Sequence, residues 1–220
     1  MTSLLSPADR TSAASPSQHA AAVAGLAAYA RTIACTRYAK DADKAPDMSS
    51  RVELLRMSAE AVASLDRLHQ EASAAGVDVL TAAAPFIGAL GDFDERLRPL
   101  DWYERLTKTY LTFGLLRDFV VALADTLAAS LRDLLTREAD TDRLAAFAPA
   151  QLVPAIDADT QLAARLGLWG RRVVGEEIGT MKRLLAAAPD LAASGADAEA
   201  LHEALSQGAI TRMRGLGLRV

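Results

Sequence analysis

The chain has 220 residues, 51% of them hydrophobic, with a formal net charge of −4 and a pI of about 5.4. That length allows one large domain or two small ones, and the apolar content supplies a full core and excludes wholesale disorder. The acidic balance offers no basic patch of the kind nucleic-acid binding relies on, so nucleic acid is not an expected partner.

Cys35 is the single cysteine, which excludes an intramolecular disulfide and any multi-Cys zinc site. The longest apolar run, Ala20 to Ala30, is Ala-rich and too short to span a bilayer. A soluble, cytoplasmic protein without a membrane partner is expected.

Residues 1–17 are rich in Ser, Ala and Pro and read as a flexible leader. They lack the basic head and continuous apolar core of a secretory signal. One helical domain is expected over 18–218. Its first helix is predicted from Pro16 to Asp43 and ends before Pro46-Asp47. Ser50-Arg51-Val52-Glu53 has the capping-box pattern and opens a second helix lasting to Gly76, a natural C′ residue. Leu54, Met57, Ala61, Leu65 and Leu68 trace one buried face of it. A shorter segment, Val79 to Leu90, is broken by Pro85 and followed by a polar link over Gly91–Pro99.

Asp101 to Leu127 is the stretch around which the rest is expected to pack. It opens on an acidic cap and is apolar on nearly every face from Tyr110 onward, with only Arg117, Asp118 and Asp125 adding charge. A helix apolar all round is buried all round. Further helices are predicted over Ser130–Phe147, over Asp159–Ala188 after Pro149 and Pro154 interrupt the pattern, and over Asp197–Leu216. Trp102 and Trp169 read as packing anchors near helix ends, and Arg171-Arg172 with Glu176-Glu177 as a solvated charged face. No sustained β-branched alternation occurs. The fold class is all-α, a long-helix bundle with additional C-terminal helices.

Asp101-Trp102-Tyr103-Glu104, Lys108, Tyr110, Asp118-Phe119, Leu168-Trp169-Gly170-Arg171-Arg172 with Gly175-Glu176, and Thr211-Arg212-Met213 before Leu216-Gly217-Leu218 carry a likeness. Over about residues 20–218 the chain resembles the actinobacterial ferritin-like fold proteins, relatives of the tRNA isopentenyl-adenosine hydroxylases. The resemblance implies a ferritin-like four-helix bundle able to hold two metal ions, and a dimetal (iron) oxygenase as the activity. Such a site takes a carboxylate from each of two helices and an acid-x-x-His pair from each of the other two.

Carried onto this chain, the ligand positions hold other residues. Arg31 stands where the first helix should offer its acid, and Ala61 and Ser64 where the second should carry acid and histidine. Phe113 takes the third helix's place, with Asp118 as a second possibility, and Thr141 and Leu144 that of the fourth. The chain has three histidines, His19, His69 and His202. Asp66-x-x-His69 and Glu199-x-x-His202 have ligand spacing. His69, however, lies about 140° around the helix from Ser64, and His202 belongs to the terminal helix. Both are expected to be solvated, and neither a metal nor any other cofactor is expected.

What replaces the metals is left open between three arrangements. Arg31, Arg117, Glu60 and Glu138 lean toward the bundle interior on helical spacing, and Asp118 is a further acid with which the arginines could pair. Buried, they must pair, because an unpaired buried charge costs several kcal/mol; alternatively they reach solvent at helix edges. In the third arrangement an arginine grips the anionic group of a small molecule, in a pocket to which Tyr110, Phe113, Cys35, Ser64 and Thr141 also belong. No catalytic residue can be named, since no Ser-His-Asp set assembles and Cys35 has no histidine near it in sequence. The expected function is that of a metal-free ferritin-like protein binding a hydrophobic, anionic small molecule, metal-independent if it is an enzyme. The dimetal oxygenase and a non-catalytic dimeric scaffold are the alternatives. A homodimer through long apolar helix faces is expected by analogy with the fold.

Overall fold

The computed structural model describes residues 16–89, 97–125, 127–140, 143–192 and 198–219, apart from the side chains of 16, 17 and 138–140. Eight α-helices and no strand occur among them. None of these helices is long and apolar enough to cross a membrane. The expected leader, up to residue 15, and most of the link over 91–99 lie outside the described residues.

Helix α1 spans Pro16–Asp43 and α2 spans Met48–Ala74. The cap of α2 is Asp47, not Ser50. Asp47 accepts the Ser50 amide at 2.8 Å on Oδ1 and the Ser50 hydroxyl at 2.9 Å on Oδ2. A carboxylate satisfies a first-turn amide as well as a serine does, so the helix starts earlier and Ser50 becomes a buried first-turn residue. At the other end Gly76 adopts φ 77, and the amides of Gly76 and Val77 close on the carbonyls of Ser73 and Ala72. That is the left-handed stop foreseen for a glycine at this place. Short α3, Val79–Ala83, leads through a 3₁₀ turn at Ala84–Phe86.

Helix α4, Trp102–Ala124, is capped by Asp101 and is the hub. It touches α1, α5 (Ala129–Asp140), α6 (Arg143–Ala158), α7 (Thr160–Ala187) and α8 (Ala198–Gly215). Two apolar clusters form the core: one around Leu26, Phe119, Leu123 and Met181, the other around Leu54, Leu106, Leu111, Leu152 and Met213. Phe113 packs against both.

The region after α4 departs from expectation. Instead of one helix over Ser130–Phe147 ending ahead of Pro149 and Pro154, α5 stops at Asp140 and α6 runs through both prolines. Each interior proline forfeits a hydrogen bond and costs ~3 kcal/mol. Leu144, Leu152 and Ile156, spaced along one buried stripe with Ala148, return about 1.5–3 kcal/mol each, which offsets that loss.

Because α4 is enclosed, most of its charged groups find partners on neighbouring segments. Glu104, 4% exposed, receives Arg165 at 2.6 Å and the Leu100 amide at 2.8 Å. Its carbonyl takes the Trp169 indole N–H at 2.8 Å, so Trp169 anchors the middle of α7 rather than an end. Buried Lys108 donates to the Leu97 carbonyl at 2.8 Å. Glu177 is 1% exposed and not on a solvated face, because it lies one turn beyond Val173 on the stripe that α7 buries. Arg171 and Arg172 are exposed, as expected.

Asp41 of α1 is fully buried. It accepts from the Thr109 hydroxyl at 2.5 Å and from Arg105 at 3.2 Å. Burial pushes its carboxyl above the ordinary 3.8, against the opposing pull of Thr109, Arg37 and Arg105. A raised carboxyl pKa means that the native state prefers the protonated form. The stability contribution is therefore full below 3.8 and is lost as pH rises through the shifted value. Urea titrations at a series of pH values should show wild type losing stability relative to Asp41→Asn as pH climbs from 3.8; the opposite trend contradicts the assignment.

Asp118 pins α8 to the hub. Its two oxygens hold Arg212 at 2.6 and 2.7 Å, with Arg212 only 9% exposed. Two glycines make room for this pair: a Cβ at Gly114 would run into the Arg212 guanidinium, and one at Gly208 into the Asp118 carboxylate. Breaking a buried pair costs several kcal/mol, less here because Asp118 keeps 23% exposure. Gly114→Ala is expected to destabilise by about 2–4 kcal/mol, read as a drop in the urea midpoint, while Gly175→Ala, with nothing within 4 Å of its added Cβ, should not.

Candidate functional site

One cleft of about 170 Å³ opens at the centre of the bundle. Each wall is a single helical face walked in steps of three, four and seven. Helix α1 contributes Arg31, Ala34 and Tyr38; α2 contributes Met57, Glu60, Ala61 and Ser64. From α4 come Phe113, Leu116, Arg117 and Val120, and α5 and α6 close the cleft with Leu135, Arg143 and Leu144. Tyr38 and Phe113 meet with ring centroids 5.2 Å apart.

The polar groups are oriented unequally. Arg31 donates from Nε to the Ser64 hydroxyl at 2.7 Å and from Nη1 to the Ala27 carbonyl at 2.8 Å. Those two bonds hold the guanidinium across the space between α1 and α2. Arg117 lies 3.7 Å from Asp118, whose carboxylate is already engaged by Arg212 at shorter range. Arg143 grips Glu53 through Nε and Nη2 at 2.9 and 2.6 Å. Glu60 lines the rim, but its carboxylate turns to Arg67 at 2.7 Å, where both side chains are about half exposed. Among the described lining residues, three arginines face one glutamate.

Five of the residues singled out from sequence therefore meet in this cleft: Arg31, Glu60, Ser64, Phe113 and Arg117. Glu60 sits at the solvent edge instead of inside, since its position on α2 is exposed. Asp118 faces α8, because it lies about 100° around α4 from Arg117. Tyr110 is buried in the second apolar cluster and does not line the cleft. Cys35 packs on α2 elsewhere, its Sγ 3.3 Å from the Ser58 hydroxyl, beside a separate open groove with Lys40 and Arg105. The Glu138 side chain and Thr141 lie outside the described residues. Tyr38, Met57 and Arg143 were missed. Tyr38 and Met57 are two turns from Arg31 and Ser64 on the same faces, so a heptad step along each helix finds them; nothing local marks Arg143.

Behind Phe113 lies a second cavity of about 20 Å³, lined by Arg37, Lys108, Thr109, Thr112 and Glu177, room for about one water. The buried Thr112 hydroxyl has no hydrogen-bond partner among the described residues. His69 and His202 are exposed, while His19 is buried and ties α1 to the Asp190 carbonyl at 2.9 Å.

A dimetal centre needs carboxylates and imidazoles around one point. Here the facing positions are Arg31, Ala61, Ser64, Phe113 and Leu144, with one hydroxyl and neither an acid nor a histidine. Among the described residues no group of three or more His, Cys, Asp or Glu could hold a metal ion, so this donor set does not fit a metal pair. No curated protein matches the chain. Residues 17–194 match the family described as ferritin-like domain, actinomycetes, which covers α1 through α7 and stops short of α8. A helix bundle matched to that family over most of its length belongs to it: the chain is a member of the actinomycete ferritin-like domain family.

Proposed function

We propose that the bundle cleft is a binding site for a small, largely apolar molecule carrying an anionic group, in a ferritin-like protein that works without a metal pair. The reading makes the chain a relative of the tRNA hydroxylases that has exchanged its metal ligands for a ligand-gripping arginine pair. One observation carries it: Arg31, Arg117 and Arg143 border an otherwise apolar cleft, while the lining glutamate turns outward.

The physical case rests on what a half-buried cation beside apolar walls favours. Guanidinium groups beside Phe113, Val120 and Leu144 suit an anionic ligand, because charge-assisted bidentate bonds are about twice as strong as neutral ones. Ser64 holds Arg31 in position before any ligand arrives, which lowers the ordering cost of binding. The cleft, about 170 Å³, is close to an apolar cavity of about 150 Å³ that accommodates benzene. The ligand class is therefore a carboxylate on a body of roughly one ring or a short branched chain. A scaffold needs only an apolar filling, and charged walls add nothing to it.

Calorimetric titration with benzoate, hexanoate and neutral benzyl alcohol tests this. The two carboxylates should bind and the alcohol should bind far more weakly. Arg117→Gln should weaken carboxylate binding by about 10–100-fold, the worth of a charged hydrogen bond, with little change in Tm. Equal binding of acid and alcohol, or an unaffected Arg117→Gln variant, sinks the proposal. Elemental analysis of purified protein should find well under one iron or manganese per chain, and a near-stoichiometric content would return the dimetal oxygenase to first place.

A further inference from the structure

The outer face of α2 is apolar where a lone bundle would be polar. Met48, Val52, Leu55, Ala59 and Val62 follow one another at a 4-3-4-3 spacing, the repeat of a coiled-coil seam. Met48 is 69% exposed, Val52 37%, Leu55 46% and Val62 46%, and Ala59 is exposed as well. The seam lies opposite the face that α2 buries through Leu54, Met57, Ala61, Ser64 and Leu68. No charge interrupts it between Met48 and Val62. Other large exposed apolar side chains, such as Ile87 and Leu168, sit on other elements.

We propose that this seam is where a second copy of the chain docks, α2 against α2, antiparallel about a two-fold axis. A 3.5-residue repeat fits another helix of the same period, and an isologous contact needs only one self-complementary surface. The antiparallel register that places Val52 against Val62 also sets large Leu55 against small Ala59, which interdigitates well. The same register sets Asp66 of each copy opposite Met48 of the other, one turn along α2 from Arg51, so that Arg51 reaches Asp66 across the seam. Both residues are exposed, and their charges are opposite. A parallel pairing would instead align Arg51 with Arg51 and Arg56 with Arg56. The strip is roughly 21 Å long and roughly 10 Å wide, below the ~800 Å² per partner of a standard interface. The dimer is accordingly weak and reversible. It stands apart from the cleft, and neither reading depends on the other.

Sedimentation velocity on the full chain, from about 1 to about 200 µM, covers the range in which so small an interface associates. A concentration-dependent monomer–dimer equilibrium is expected. Leu55→Glu should leave the chain monomeric, with unchanged far-UV circular dichroism and Tm. Arg51→Glu and Asp66→Arg should each weaken association about tenfold, and their combination should restore it. Wild type that remains monomeric throughout overturns the proposal, as does association indifferent to Leu55→Glu. An Arg51→Glu variant that associates more tightly overturns the antiparallel arrangement.

Discussion

Enclosing α4 on every side is the constraint from which most of this structure follows. An enclosed helix keeps a charged group at low cost when a neighbour supplies its counterpart. Glu104 draws in Arg165 of α7, Lys108 reaches back to the chain at Leu97, and Asp118 holds Arg212 of α8. Each of these bonds also sets how a surrounding helix docks. The pairing of Asp118 with Arg212 is the most demanding, because it needs glycine on both α4 and α8 for the charged groups to pass.

That allocation shapes the cleft. Asp118 lies 3.7 Å from Arg117, yet its shorter bonds go to Arg212 of α8. Arg31 is stationed by a neutral hydroxyl, and Glu60 by an exposed arginine. A pinned core would have required these charges to satisfy one another inside the bundle. Two of the acids proposed for that role, Asp118 and Glu60, instead find arginines elsewhere. The cleft is thus bordered by one arginine from each of α1, α4 and α6 among mainly apolar neighbours, which is the arrangement on which the ligand-binding proposal rests.

Phe113 has a double position in this layout. It packs on both apolar clusters and forms a wall common to the main cleft and the small polar cavity behind it. A side chain without hydrogen-bonding capacity keeps those two environments apart. On the far side, buried polar groups from α1, α4 and α7 gather around Lys108, Thr109 and Glu177, a network to which Asp41 is linked through Thr109. None of this is visible from spacing along one helix, because the members come from three helices.

Periodicity and capping determined α1, α2, α4, α7 and α8 to within a few residues, since an amphipathic or fully apolar face and a terminal Asp or Gly act locally. The same local logic put Arg31, Ser64, Phe113 and Arg117 on inward faces. It misjudged Pro149 and Pro154, because the cost of a proline is local while the burial of Leu144, Leu152 and Ile156 that offsets it comes from other helices. It misjudged Glu177 by treating a charged cluster as solvated without tracking the stripe through Val173. Tertiary structure alone decided that Asp118 belongs to Arg212, about ninety residues away, that Glu60 opens outward, and that Arg143 joins the cleft. Ion pairing between helices depends on relative rotation and approach, and those are settled only when the whole core closes.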